Sequence, residues 1–139
     1  MKIKTLRLMS VCLIAIAVVL TAIGMTAAVA KNLPIGFLDI VRYEKGTLYA
    51  IGWAADEKDG APVGSVTLFV DDKAVGKAKL GMSRSDVANV YKNPNWKKSG
   101  WDISIKTTLA KGSHNAYAVA ENKQGEKNRL KNEFKVEVK

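Results

Sequence analysis

His114 is the only histidine of this 139-residue chain, and the one side chain whose ordinary pKa lies near neutrality. To act as a general base it would need a nucleophile and an orienting carboxylate within hydrogen-bond reach. Its neighbour Ser113 would point to the opposite face of a strand, and the chain holds no G-x-S-x-G elbow. His114 reads instead as a structural residue at a strand start, bonding a neighbouring loop. No catalytic residue is assigned, and a small hydrolase stands last of three functional readings. Zinc lacks ligands, because the single cysteine, Cys12, lies in an N-terminal apolar run. Calcium would have to use Asp56, Glu57 and Asp59 in one polar loop, or Asp71 and Asp72 in another. Neither has EF-hand spacing, and turns use aspartate for their own hydrogen bonds. No metal and no cofactor are expected.

The aromatic residues point to binding. All three Trp, four Tyr and three Phe follow residue 30. Trp96 and Trp101 flank Lys97 and Lys98. Exposed tryptophan suits stacking on a sugar or docking on a protein, and adjacent lysines steer an acidic partner. In the segment 47–54, Leu48, Ala50 and Gly52 alternate with Tyr49, Ile51 and Trp53. In 114–121, Ala116, Ala118 and Ala120 oppose Tyr117 and Val119. Both segments are apolar on two sides, unlike a half-solvated strand. Either the large residues fill the core with the small ones outside, which is the expected arrangement, or they form an exposed platform. The candidate ligand-binding residues are Trp96, Lys97, Lys98, Trp101, Tyr49, Trp53 and Tyr117. Arg84 and Asp86 could read a ligand as a pair, but are expected to be structural, with Asp86 at a helix N-terminus and Arg84 bridging to a loop.

Short strands must position these residues. The alternating segments are 35–41, 47–54, 65–71, 74–80, 101–107, 114–121 and 130–138, separated by turn clusters such as Glu44-Lys45-Gly46 and Asn122-Lys123-Gln124-Gly125. Asp71-Asp72-Lys73 closes a hairpin between the third and fourth. Seven strands joined by connections too short for a βαβ crossover predict an antiparallel β-sandwich. One or two helical turns are expected over 83–91, capped by Ser83 or Ser85 and ended by Asn93-Pro94-Asn95.

Lys2, Lys4 and Arg7 precede an apolar run over 8–27, and Ala28-Val29-Ala30 follows. That order predicts a signal peptide over 1–30, cleaved after Ala30, and a secreted or periplasmic product. The run is roughly 20 residues, enough to span a bilayer if left uncut; after cleavage no membrane span is expected. Taking the segment's three basic residues from the total of 22 leaves 19 against 13 acidic ones, a net charge of +6. With scattered lysines and no dense basic stripe, nucleic acid is not an expected partner. The mature chain keeps no cysteine, so burial alone must stabilise it, and its length suits one domain, 31–139.

The order of GWAAD (52–56), SVTLFVDDKAVGKA (65–78), SGWDISI (99–105) and LAKGSHNAYAVAENKQG (109–125) resembles bacterial immunoglobulin-like domains. RSDV (84–87), followed by Tyr91 and SGW, is similar to a subgroup with an R-x-D-V insertion before the fifth strand. Where the group has glycine in its hairpin this chain has Asp72, which also tolerates positive φ. The resemblance implies an all-β, immunoglobulin-like sandwich of about seven strands with a short helical insertion. The expected function is an exported, non-enzymatic, single-domain binding module of the cell envelope. Its partner would be an extracytoplasmic protein or an acidic glycan. A carbohydrate-binding domain using exposed aromatics is the alternative.

Overall fold

Two hairpins of the same chemistry start the structure, a computed structural model that describes residues 31–139; the predicted signal peptide lies outside the described residues. Strands β1 (Ile35–Glu44) and β2 (Thr47–Ala55) pair antiparallel around Lys45 and Gly46, with φ of 49° and 75°. Strands β3 (Ser65–Val70) and β4 (Lys73–Lys77) close at Asp71 and Asp72, with φ of 49° and 64°. Two successive positive φ values are what a two-residue hairpin of native twist demands, and aspartate meets them at Asp72.

The chain continues through β5 (Lys79–Met82), helix α1 (Ser85–Val90), β6 (Gly100–Lys106), β7 (Gly112–Glu121), β8 (Lys127–Arg129) and β9 (Phe134–Val138). One sheet has the order β1-β2-β6-β5; in the other, β4-β3-β7 is flanked by β8 and β9, which both pair with β7. The two sheets form an immunoglobulin-like antiparallel β-sandwich. Among the described residues no helix is long and apolar enough to cross a membrane.

Among the described residues nine strands stand where seven were expected, for two local reasons. The segment 74–80 divides at Ala78, where the chain leaves β3 and crosses to pair with β6 on the opposite sheet. The short strand β8 forms ahead of the expected final segment 130–138, of which only Phe134–Val138 is strand; between β8 and β9, Lys131 exchanges hydrogen bonds with Gly36 and Leu38 on β1. That detour also shields part of the β1 edge, which would otherwise offer open backbone groups. Helix α1 differs from expectation at its start. Arg84 is the N-cap residue and no side chain caps the helix, so neither Ser83 nor Ser85 has that role.

The interior reverses the expected packing of the doubly apolar strands. Ala116, Ala118 and Ala120 are fully buried between the sheets, as are Leu48 and Ala50, while Tyr49, Ile51 and Tyr117 point outward. Trp101 explains the inversion. Its indole sits inside the sandwich at 1 % exposure, and its register partner is Gly52. A Cβ on Gly52 would lie 2.5 Å from Trp101 Cζ2. A layer gap of about 10 Å holding one such ring leaves room for small side chains beside it.

Trp53 is outward-facing yet only 5 % exposed, because the segment 84–97 folds over it. Trp53, Ala55, Val87 and Trp96 make a second apolar cluster outside the sandwich, with Ile35 and Phe37 packed against it.

Candidate functional site

The outer face of the β1-β2-β6-β5 sheet is built by a change of phase in β1. Leu38 points into the core, a bulge follows at Asp39, and Ile40 and Arg42 then turn outward while Val41 and Tyr43 pack inward. A one-residue bulge exchanges the two faces of everything after it. Ile40 thereby pairs with Ile51 of β2, and Arg42 with Tyr49. Ile51 pairs in turn with Asp102 of β6, and Tyr49 with Ser104. These side chains line a shallow recess of about 200 Å³. The Arg42 guanidinium stands 5.5 Å from the centre of the Tyr49 ring.

The apolar character of this face is high for a surface. Among the described residues the exposed large apolar side chains are Leu33, Ile40, Ile51, Val90 and Tyr91. Ile40 and Ile51 lie side by side at 50 % and 45 % exposure. Val90 and Tyr91 flank the adjoining recess, about 250 Å³, whose floor is Phe37 and Trp53. The Tyr91 ring is 5.2 Å from Trp53 and 4.9 Å from Trp96. Ile51 and Trp53 are two apart on β2, so the two recesses adjoin along one strand.

Arg84 holds the covering segment in place. Its Nη1 donates to Asp39 Oδ2 at 2.8 Å, and its Nη2 and Nε donate to the two carboxylate oxygens of Asp86 at 2.8 and 2.9 Å. The guanidinium beside it lowers the Asp86 carboxyl to about 2. The fork ties the first turn of α1 to the bulge of β1. Gly100 makes room for this, since a Cβ there would lie 2.9 Å from Arg84 Cγ.

The expected Trp96–Trp101 platform does not form. Trp96 is 4 % exposed in the outer cluster and Trp101 is in the core, so only Lys97 and Lys98 of that loop face solvent. Trp53 is likewise covered. Tyr49 lies on the outer face described above. Tyr117 lies on the opposite sheet, stacked on Phe69 with ring centroids 5.2 Å apart and covered by Arg129 at 3.6 Å. Its hydroxyl donates to Asp72 Oδ1 at 2.9 Å.

Asp71 and His114 join the β3–β4 turn to the start of β7, with Nδ1 at 2.6 Å from Asp71 Oδ2 and Nε2 at 2.6 Å from the Ala110 carbonyl. In the polar loop, Asp56 Oδ1 accepts from the backbone of Lys58 and Asp59, and Oδ2 from Asn122. Reading by type overlooked Ile40, Arg42 and Asp102. Simple alternation puts Ile40 and Arg42 on the face that carries Leu38, and nothing local in the sequence marks the bulge.

No family model matches the chain, and no curated protein matches it. Among solved structures it is similar to the fibronectin(III)-like modules of Clostridium thermocellum CbhA, with 17 % identity over 78 % of this chain and 48 % of that one, at a TM-score of 0.48. It is also similar to the family 28 exopolygalacturonase of Yersinia enterocolitica, with 13 % identity over 77 % of this chain and 21 % of that one, at a TM-score of 0.39. The chain thus spans about half the length of the first and a fifth of the second.

Proposed function

We propose that the protein is an exported, non-enzymatic binding module of the cell envelope that docks a protein partner on the outer face of the β1-β2-β6-β5 sheet. The observation that carries the reading is the adjoining pair Ile40 and Ile51, each about half exposed on a sheet face whose Trp53 is covered. Contiguous exposed apolar surface on a small domain marks an interaction site. A protein fits better than a glycan, because all three tryptophans are buried and none offers a ring to a sugar. The basic, apolar and small-residue order of residues 1–30 supports export, and the resemblance of RSDV and SGW to the bacterial immunoglobulin-like subgroup is in keeping with a binding module.

Two measurements test this. A photocrosslinking amino acid at position 51, in cells that export the protein, is expected to give a discrete adduct that the same probe at the exposed Lys123 does not. Equal labelling at both positions contradicts the proposed face. The intact mass of the exported protein is expected to correspond to a chain starting at Lys31; a full-length, membrane-held chain contradicts the export reading.

A further inference from the structure

We infer that the occupant of this face is a second copy of the same chain, an inference that rests on the binding role proposed above. The charges of the face are complementary to themselves. Asp102 Oδ1 is shielded from solvent and has no hydrogen-bond partner, and among the described residues Asp102 takes part in no ion pair, not even with its register neighbour Lys79. Arg42 is likewise in no ion pair among the described residues, and lies over Tyr49 instead. A carboxylate oxygen screened from water without a donor is unfavourable, and a cation arriving beside that carboxylate relieves it. The two charges do not meet within one chain, because Arg42 is on β1, Asp102 is on β6 and β2 lies between them, in adjacent rows of the sheet.

A two-fold axis lying in the interface and crossing β2 between Tyr49 and Ile51 exchanges these two positions. Arg42 then faces the partner's Asp102, and the reciprocal pair forms by symmetry. With strands about 4.8 Å apart, the same operation brings Ile40 opposite the partner's Ile51. Apolar residues meet apolar ones and each charge meets its opposite, with no further chemistry required of the partner. The net charge of +6 on each mature domain opposes association. That repulsion is screened beyond about 8 Å at physiological ionic strength, whereas the exchanged charges are in contact.

Sedimentation equilibrium on the purified exported protein tests the inference. The wild type is expected to be dimeric, and Arg42→Asp and Asp102→Arg, each alone, to associate on the order of a hundredfold more weakly. The first variant carries acid at both exchanged positions and the second carries base at both. An equimolar mixture of the two is therefore expected to recover the dimer, a result that a folding defect cannot produce. Ile51→Lys, close to the axis, is expected to be monomeric with an unchanged melting profile. A wild type still monomeric at about 1 mM, where even weak association would register, overturns the inference. So does a dimer that persists in Ile51→Lys, or a wild-type dimer whose charge variants fail to pair. A monomeric wild type that still crosslinks another protein through position 51 overturns self-association alone and leaves the binding role standing.

Discussion

At the scale of single residues, His114 is held between two acceptors, a carboxylate and a carbonyl, so only the imidazolium can donate to both. The Ala110 carbonyl, and after it the Asp71 carboxylate, raise its pKa above the ordinary 6.5. A group whose folded pKa exceeds its unfolded value stabilises fully below the unfolded pKa and loses that contribution as pH rises through the folded one. The melting temperature of the wild type is therefore expected to fall relative to His114→Gln as pH is raised from 6.5 through the raised value. Melts of both proteins across that range check this, and a constant gap would contradict it. Trp96 gives a second expectation. At 4 % exposure in the outer cluster, Trp96→Ala should cost about 3–5 kcal/mol, measurable by denaturant titration. An unchanged midpoint would return the ring to the surface and reopen the loop as a binding platform.

Among the elements, the segment 84–97 decides how much of the β1-β2-β6-β5 sheet is open. Its apolar side chains cover Phe37 and Trp53, and Arg84 ties it to Asp39 across the bulge. Arg84→Met should keep the sandwich but free this cover. The fork is partly exposed, so solvent screening limits the stability loss to about 1 kcal/mol. Proteolysis within 85–97 should accelerate clearly, with β-strand circular dichroism unchanged. Acid should act similarly. Asp86, lowered to about 2, contributes above its ordinary 3.8 and loses that contribution as pH falls through 2. Cleavage of the wild type by an acid-active protease should rise in that interval and stay flat in Arg84→Met.

For the molecule as a whole, one core lies between the two sheets of the described residues. Residues 31–139 hold no cysteine, and both carboxylate oxygens of the buried Asp56 already accept protein N–H groups. Thermal melts of the domain 31–139 are expected to coincide with and without dithiothreitol and with and without EDTA. A drop of several degrees in EDTA would show a bound ion and would bound its affinity. The fold leaves its two outer faces unequal. On one, Tyr117 is stacked on Phe69 and capped by Arg129; on the other, Ile40 and Ile51 are about half exposed in the single chain.

What the residues determined by themselves is what local chemistry encodes. Asp71-Asp72 accepts positive φ, so the β3–β4 hairpin was legible, Glu44-Lys45-Gly46 was legible as a turn, and the alternation in 65–71 marked the strand that forms β3. The lone histidine and the absence of a nucleophile elbow likewise needed no coordinates. Tertiary structure decided everything in which two faces competed. In β2 and β7 both sides are apolar, so periodicity could not say which side enters the core, and Trp101 lying over Gly52 settled it. The strand break at Ala78 depends on β6 being within reach on the other sheet, and the burial of Trp53 on an insertion distant in sequence that carries Trp96. The bulge at Asp39 is the decisive case. One unpaired residue moved Ile40 and Arg42 to the outside, and a phase change set by pairing with β2 leaves no trace in the order of residues along β1.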